Sequence, residues 1–184
     1  MKKVTLLGDS IRLIGYGTKV PELLGEEYEV FQPADNCRFV KYTLRMLFDL
    51  KSQIEGSDVI HWNNGLWDIS TGLFEDGEAF TSEQEYVENM LRVAKILKTL
   101  GKRVIFATTT PVREENVYNK NEVIKRYNAL IVPQLEAMGI EINDLHATVM
   151  QDVNKYICED LLHLSNEGIG ICAKQVADKI KAEN

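Results

Sequence analysis

The chain has 184 residues, 45% of them hydrophobic and 27% charged, a make-up that suits a globular protein with a buried core. Its net charge of −7 and pI near 5.1 argue against a nucleic-acid binder, which normally presents a basic face. No apolar run approaches the roughly 20 residues that cross a bilayer, and without repeats or a linker residues 1–184 read as a single domain.

The N-terminus carries the lysine pair of a secretory leader, Lys2 and Lys3. Its apolar run, Val4 to Leu7, is too short, and Asp9 and Arg12 follow at once. The expected location is cytoplasmic, unless a leader has been removed. Lys3 to Leu7 reads as a short buried strand, Val20 to Leu24 as a helical turn and Tyr28 to Phe31 as a second strand. Val40, Leu44, Leu47, Phe48 and Leu50 recur at near-helical spacing and predict one helix over Val40 to Ile54. Asp58 to Trp62 is a third strand. Ser82 followed by Glu85 is a capping-box pattern, opening a helix that runs to about Leu100 and stops at Gly101. Arg103 to Thr108 is rich in β-branched and aromatic residues and reads as a fourth strand. A helix over Asn121 to Met138 ends at Gly139, and Ile140 to Ile142 is a brief fifth strand. Ile169, Cys172, Ala173, Val176 and Ile180 mark a last amphipathic helix over about Asn166 to Lys181.

Strands and helices alternate, and the strands are continuous apolar runs. That combination predicts an α/β fold, a three-layer α/β/α sandwich around a five-stranded parallel sheet. Such sheets carry their sites beyond the C-terminal ends of the strands, where the chemistry-bearing residues of this chain fall. Gly8-Asp9-Ser10 follows the first strand, His61 to Asp68 the third and Thr108 to Val112 the fourth, while Asp160 to Gly168 precedes the last helix. Each of these, alone, is an ordinary loop. The three cysteines, Cys37, Cys158 and Cys172, fit neither a disulfide framework nor a zinc site. No cluster has metal-ligand spacing and no glycine-rich phosphate loop is present, so neither metal nor cofactor is expected. His61 and His146 read as structural, and Trp62 and Trp67 as core residues first and ligand platforms second.

Taken together, the GDS near the N-terminus, the D-x-x-H at Asp160 to His163 with its "LSNEG" continuation, and Thr109-Thr110-Pro111 resemble the SGNH, or GDSL-like, hydrolase family over nearly the whole chain. The resemblance implies a flavodoxin-like sheet order and a catalytic set of Ser10, His163 and Asp160. The chemistry is coherent. A serine needs an adjacent base, histidine has a suitable pKa, and a carboxylate on its other ring nitrogen fixes the tautomer. The family draws its oxyanion donors from the nucleophile's N–H, a second-block glycine N–H and a third-block asparagine. Here the second block, Pro33 to Leu44, has no glycine, and Cys37 is its counterpart. Trp67 stands where the third block usually has asparagine, so Asn63, or alternatively Asn64, is the side-chain donor. Asp9, Trp67, Arg38 and Thr109 are the candidates to touch substrate, and Arg12, Arg38 and Arg113 are either anion binders or surface ion-pair partners.

The resemblance implies a serine esterase that cleaves a short acyl group, such as acetyl, from a carbohydrate or small metabolite. No nucleic acid or membrane partner is expected, and the oligomeric state does not follow. Two other readings stand beside it. One is a non-catalytic small-molecule or carbohydrate binder on the same fold with an altered oxyanion hole. The other is a nucleotide or phosphate binder using the first loop, against which the lack of glycines between Ser10 and Ile14 counts.

Overall fold

The computed structural model describes residues 1–182. Five strands form one parallel sheet: β1 (Lys2–Leu7), β2 (Tyr28–Phe31), β3 (Ser57–Trp62), β4 (Gly101–Ala107) and β5 (Glu141–Asn143). Their order is β2-β1-β3-β4-β5, the flavodoxin-like arrangement, with Val4 beside Val59 and His61 beside Ile105 across the centre. The inner strands read as apolar runs because both faces are covered: Val4, Leu6, Ile60, Trp62, Ile105 and Phe106 are all buried.

The helices are α1 (Val20–Leu24), α2 (Val40–Asp49), α3 (Lys51–Ile54), α4 (Glu83–Leu100), α5 (Asn121–Ala137), α6 (Leu145–Met150), α7 (Val153–Tyr156) and α8 (Asn166–Lys181). One face of the sheet carries α2, α4 and α5, packed side by side. The other carries α8, flanked by α1, α6 and α7. Ser82 caps α4 by accepting the Glu85 N–H at 3.3 Å, and Ser165 caps α8 by accepting the Gly168 N–H at 3.1 Å. Strand and helix boundaries fall within two residues of the sequence reading.

The expected helix over Val40 to Ile54 is two helices. The Leu50 N–H closes α2 on Met46 O, and its backbone (φ −102°, ψ 10°) turns the chain before α3 brings Ile54 into the core. A π-helical turn, Ile11–Gly15, and a 3₁₀ turn, Tyr16–Thr18, follow the first strand. These, like α6 and α7, are too short to show periodicity. The first free N–H of α2, that of Val40, is taken by the buried Asp68 carboxylate at 3.0 and 3.2 Å, and Thr81 Oγ1 donates to it at 2.7 Å. Burial nevertheless pushes the Asp68 carboxyl up to about 7.

Candidate active site

The end of β1 is shaped by its neighbour on β3. A side chain at Gly8 would place a Cβ 1.9 Å from Asn63 Oδ1, so only glycine lets the two strand ends approach this closely. Asp9 is buried directly after it. Its Oδ1 accepts the Ile11 N–H at 2.9 Å and the Asn63 amide at 2.8 Å, which bends the chain into the π-helical turn, and π turns recur at functional sites. Burial raises the Asp9 carboxyl above its ordinary range, against the pull of these hydrogen bonds. Ser10 sits at the start of this turn, and its N–H donates to no atom of the described residues.

Onto this serine folds the loop before α8. His163 Nε2 lies 2.9 Å from Ser10 Oγ, and His163 Nδ1 lies 2.7 Å from Asp160 Oδ2. Asp160 Oδ1 accepts the N–H groups of Leu162 at 3.0 Å and His163 at 2.9 Å. Burial pushes the Asp160 carboxyl up, but these hydrogen bonds and the His163 ring outweigh it and leave it below its usual value. The turn depends on Leu161, held at φ +71°, a left-handed conformation that leucine rarely adopts. Two donors grip its carbonyl, the Arg113 N–H at 3.1 Å and the Asn116 amide at 3.3 Å. Nothing in the sequence marks Leu161, since leucine is not a turn residue.

Several expectations need correction. The Cys37 N–H is committed to Gly8 O at 3.0 Å and its Sγ accepts the Gly8 N–H at 3.2 Å, so Cys37 ties two loops together and has no free N–H for an oxyanion. Asn63 receives the Tyr16 O–H at 2.7 Å and gives one amide hydrogen to Asp9 at 2.8 Å. Asn64 Oδ1 receives Trp62 Nε1 at 2.6 Å and Thr43 Oγ1 at 2.9 Å, and its amide nitrogen gives one hydrogen to Arg38 O at 2.9 Å. Each amide keeps a second hydrogen, so both stay candidates for the oxyanion donor.

Among the expected substrate contacts, Asp9 and Thr109 are scaffold. Thr109 is buried, its Oγ1 donating to Asn64 O at 3.0 Å. Arg38 lies over the Tyr42 ring at 4.5 Å and 3.7 Å from Asp35, with its backbone at φ +50°. Trp62 is core, but Trp67 is 44% exposed and lines a cleft. Arg12 is neither an anion binder nor a surface partner. It is wholly buried, donating to the carbonyls of Pro33 and Asp35 at 2.9 Å and Gly8 at 3.3 Å. Arg113 likewise spends its guanidinium on Ile157 O at 3.0 Å and Asn154 O at 2.9 Å.

The cleft opens beside Ser10 and His163 and measures about 370 Å³. Its walls are mainly apolar, from Leu66, Trp67, Leu73, Tyr118 and Leu162, with Ser70 and Asn119 among them. The wall from the β3 end is fastened to the loop after β4 largely at one carbonyl: Tyr118 O accepts the N–H groups of Thr71 at 3.0 Å and Gly72 at 3.1 Å and the hydroxyl of Ser70 at 3.1 Å, and Asn119 Nδ2 adds a bond to Leu66 O at 3.4 Å. Sequence reasoning gave the Asn116 to Asn119 segment no role, and its polar cluster, N-x-x-N, is the one signal it carries. Among the described residues no group of His, Cys, Asp and Glu is placed to hold a metal ion, and no helix is long and apolar enough to cross a membrane.

No protein-family model matches the chain. A GDSL esterase/lipase of Oryza sativa subsp. japonica is 30% identical over 161 residues, 79% of this chain, and the chain spans 62% of that relative's length. A lipase/acylhydrolase from Enterococcus faecalis superposes with a TM-score of 0.78 at 20% identity, over 98% of this chain and 96% of that one. An acetylxylan esterase from Geobacillus stearothermophilus gives 0.77 at 19% identity, over 99% and 95%. A GDSL-like lipase from Bacteroides thetaiotaomicron gives 0.75 at 18% identity, over 98% and 88%. The chain is thus similar in sequence to a GDSL esterase/lipase, of which it spans less than two thirds, and it shares the fold of these three solved structures.

Proposed function

We propose that this protein is a cofactor-independent serine ester hydrolase acting through an acyl-enzyme on Ser10. The observation that supports it is the unbroken line from Asp160 Oδ2 through the His163 ring to Ser10 Oγ, at 2.7 and 2.9 Å. With Asp160 accepting the Nδ1 proton, Nε2 is left as the base that faces the serine. Ser10 Oγ attacks the ester carbonyl while His163 takes its proton. The same proton then passes to the leaving alcohol as the ester C–O bond breaks. Water, deprotonated by His163, attacks the acyl-enzyme and releases the acid, returning Ser10. The Ser10 N–H and the second amide hydrogen of Asn64, or alternatively of Asn63, are the donors assigned to the oxyanion, in place of the Cys37 N–H.

Acetyl is the acyl group to test first, in keeping with the acetylxylan esterase among the fold neighbours. The half-exposed Trp67 ring offers a flat apolar platform for a sugar or aryl alcohol. Hydrolysis of p-nitrophenyl acetate by wild type and by Ser10→Ala tests the reading, together with labelling by a serine-directed phosphonate read by mass spectrometry. Turnover that the substitution abolishes, with a single adduct on Ser10, supports it. A wild type that neither turns over nor labels refutes it, and a ligand-binding screen would follow.

A further inference from the structure

Beneath the Ser10 turn runs a chain of buried polar side chains that the hydrolytic scheme does not use. It starts on α8, where Gln175 Nε2 donates to Asn143 Oδ1 at 2.8 Å. That contact orients the Asn143 amide so that its Nδ2 faces His61 Nε2 at 3.1 Å. A ring nitrogen that receives an N–H carries no hydrogen, so the imidazole proton of His61 sits on Nδ1. Nδ1 faces Tyr16 Oη at 3.4 Å, and the two rings meet edge to face with centroids 5.4 Å apart. Tyr16 therefore accepts from His61, and its own hydrogen goes to Asn63 Oδ1 at 2.7 Å. Asn63 Nδ2 then points to Asp9 Oδ1 at 2.8 Å.

Every donor in this chain points the same way, from α8 through β5 and β3 to the residue before Ser10. Both His61 and Tyr16 are fully buried, and burial alone holds the His61 pKa at about 3, so the ring stays neutral and the direction does not reverse. Direction matters because an amide has two faces. A flipped Asn63 would set its carbonyl against the Asp9 carboxylate and its NH₂ against the Tyr16 hydroxyl, and the Gly8 Cα packed on Asn63 leaves no room for a third orientation.

We propose that Tyr16 and His61 are positioning residues for the nucleophile: they lock the Asn63 carboxamide in the one orientation that holds Asp9, and through it the turn bearing Ser10. The role rests on the hydrolase reading above. Neither residue lines the cleft, so their loss acts on the reactivity of Ser10 and leaves the binding of substrate alone.

The test has two parts. In the first, ¹⁵N NMR of the histidine rings of wild type should show one ring in the Nδ1–H form that does not titrate while the fold persists. An Nε2–H ring at that position overturns the relay, whatever the activity. In the second, Tyr16→Phe should lower kcat and the rate of phosphonate labelling of Ser10 by about tenfold, the weight of one buried hydrogen bond, with KM unchanged. His61→Leu should do the same, while His61→Asn, whose amide places a donor near the Nδ1 position, recovers most of the rate. Measurements well below each variant's Tm separate this from loss of fold. Wild-type kcat in Tyr16→Phe, or equal rates for the Leu and Asn variants, overturns the positioning role and leaves a core hydrogen bond. A wild type that neither turns over nor labels overturns the hydrolase reading instead, and the positioning role with it.

Discussion

His163 Nε2 stands 2.9 Å from Ser10 Oγ although the two residues are 153 positions apart in the chain. The contact joins a loop at the end of the first strand to the loop before the last helix, so nearly the whole fold is needed to make it. Ser10→Ala and His163→Ala should each lower kcat by on the order of 10⁴- to 10⁶-fold, because a nucleophile and its base act as a unit. Asp160→Asn should cost roughly a hundredfold less, since the half-exposed carboxylate only orients the ring. Equal activity of Ser10→Ala and wild type on p-nitrophenyl acetate would sink the scheme.

Asn63 and Asn64 are neighbours with different work, and truncation separates them. Asn64→Ala should cost roughly 100- to 1000-fold in kcat if its spare amide hydrogen meets the oxyanion. Asn63→Ala should act more mildly, through Asp9. Steady-state kinetics on one activated acetate ester, with phosphonate labelling as a second readout, ranks the two. The opposite order would move the oxyanion donor to Asn63.

Leu161 is held in a left-handed conformation to let Asp160 reach back to His163. A β-branched residue tolerates that backbone poorly, so Leu161→Val should cost about 1–2 kcal/mol of stability and lower kcat as the loop relaxes. Leu161→Gly should keep kcat near wild type. Denaturant melts and kinetics on the pair check it, and a well-behaved valine variant would show that the turn is not under strain.

Asp68 supplies the pH dependence. Its carboxyl titrates at about 7 in the folded protein, against about 3.9 in an unfolded chain. Between those values the folded state holds the extra proton, so wild type loses stability as pH rises from about 4 towards 7. Asp68→Asn keeps an acceptor for the Val40 N–H and has no proton to lose. The difference in Tm between Asp68→Asn and wild type should therefore grow in favour of the variant as pH is raised across that window. A difference that stays flat would mean that Asp68 is ionised throughout.

The layers were legible because burial on both faces writes itself as apolar runs, as in Val4 to Leu7 and Val104 to Ala107, while the strand order came only from the family resemblance. The Ser82 cap was also within reach, since a cap is a local pattern. What escaped was made by contacts between segments. Arg12 looks like any surface arginine until Pro33 and Asp35 offer it their carbonyls. Cys37 looked available until Gly8 claimed its N–H. The partners of Asn63 and Asn64 were hidden too, since Tyr16, Trp62 and Thr43 do not announce themselves as an amide's partners. The turn at Leu161 left no mark at all, because the donors that hold it come from Arg113 and Asn116.

Two of the three bonds that grip the Tyr118 carbonyl come from main-chain N–H groups, which any residue but proline supplies, and only the third needs a side chain, that of Ser70. The side chains that face the cleft there, Trp67, Leu73 and Tyr118, are about half exposed and carry little of the core's packing. Gly72 is the exception, since a Cβ there would meet Val117 O at 2.4 Å. What the cleft admits and what keeps the protein folded are thus written in different residues. A combinatorial library at those three positions, with Gly72 left alone, is a place where new ester preferences can be selected without eroding the scaffold.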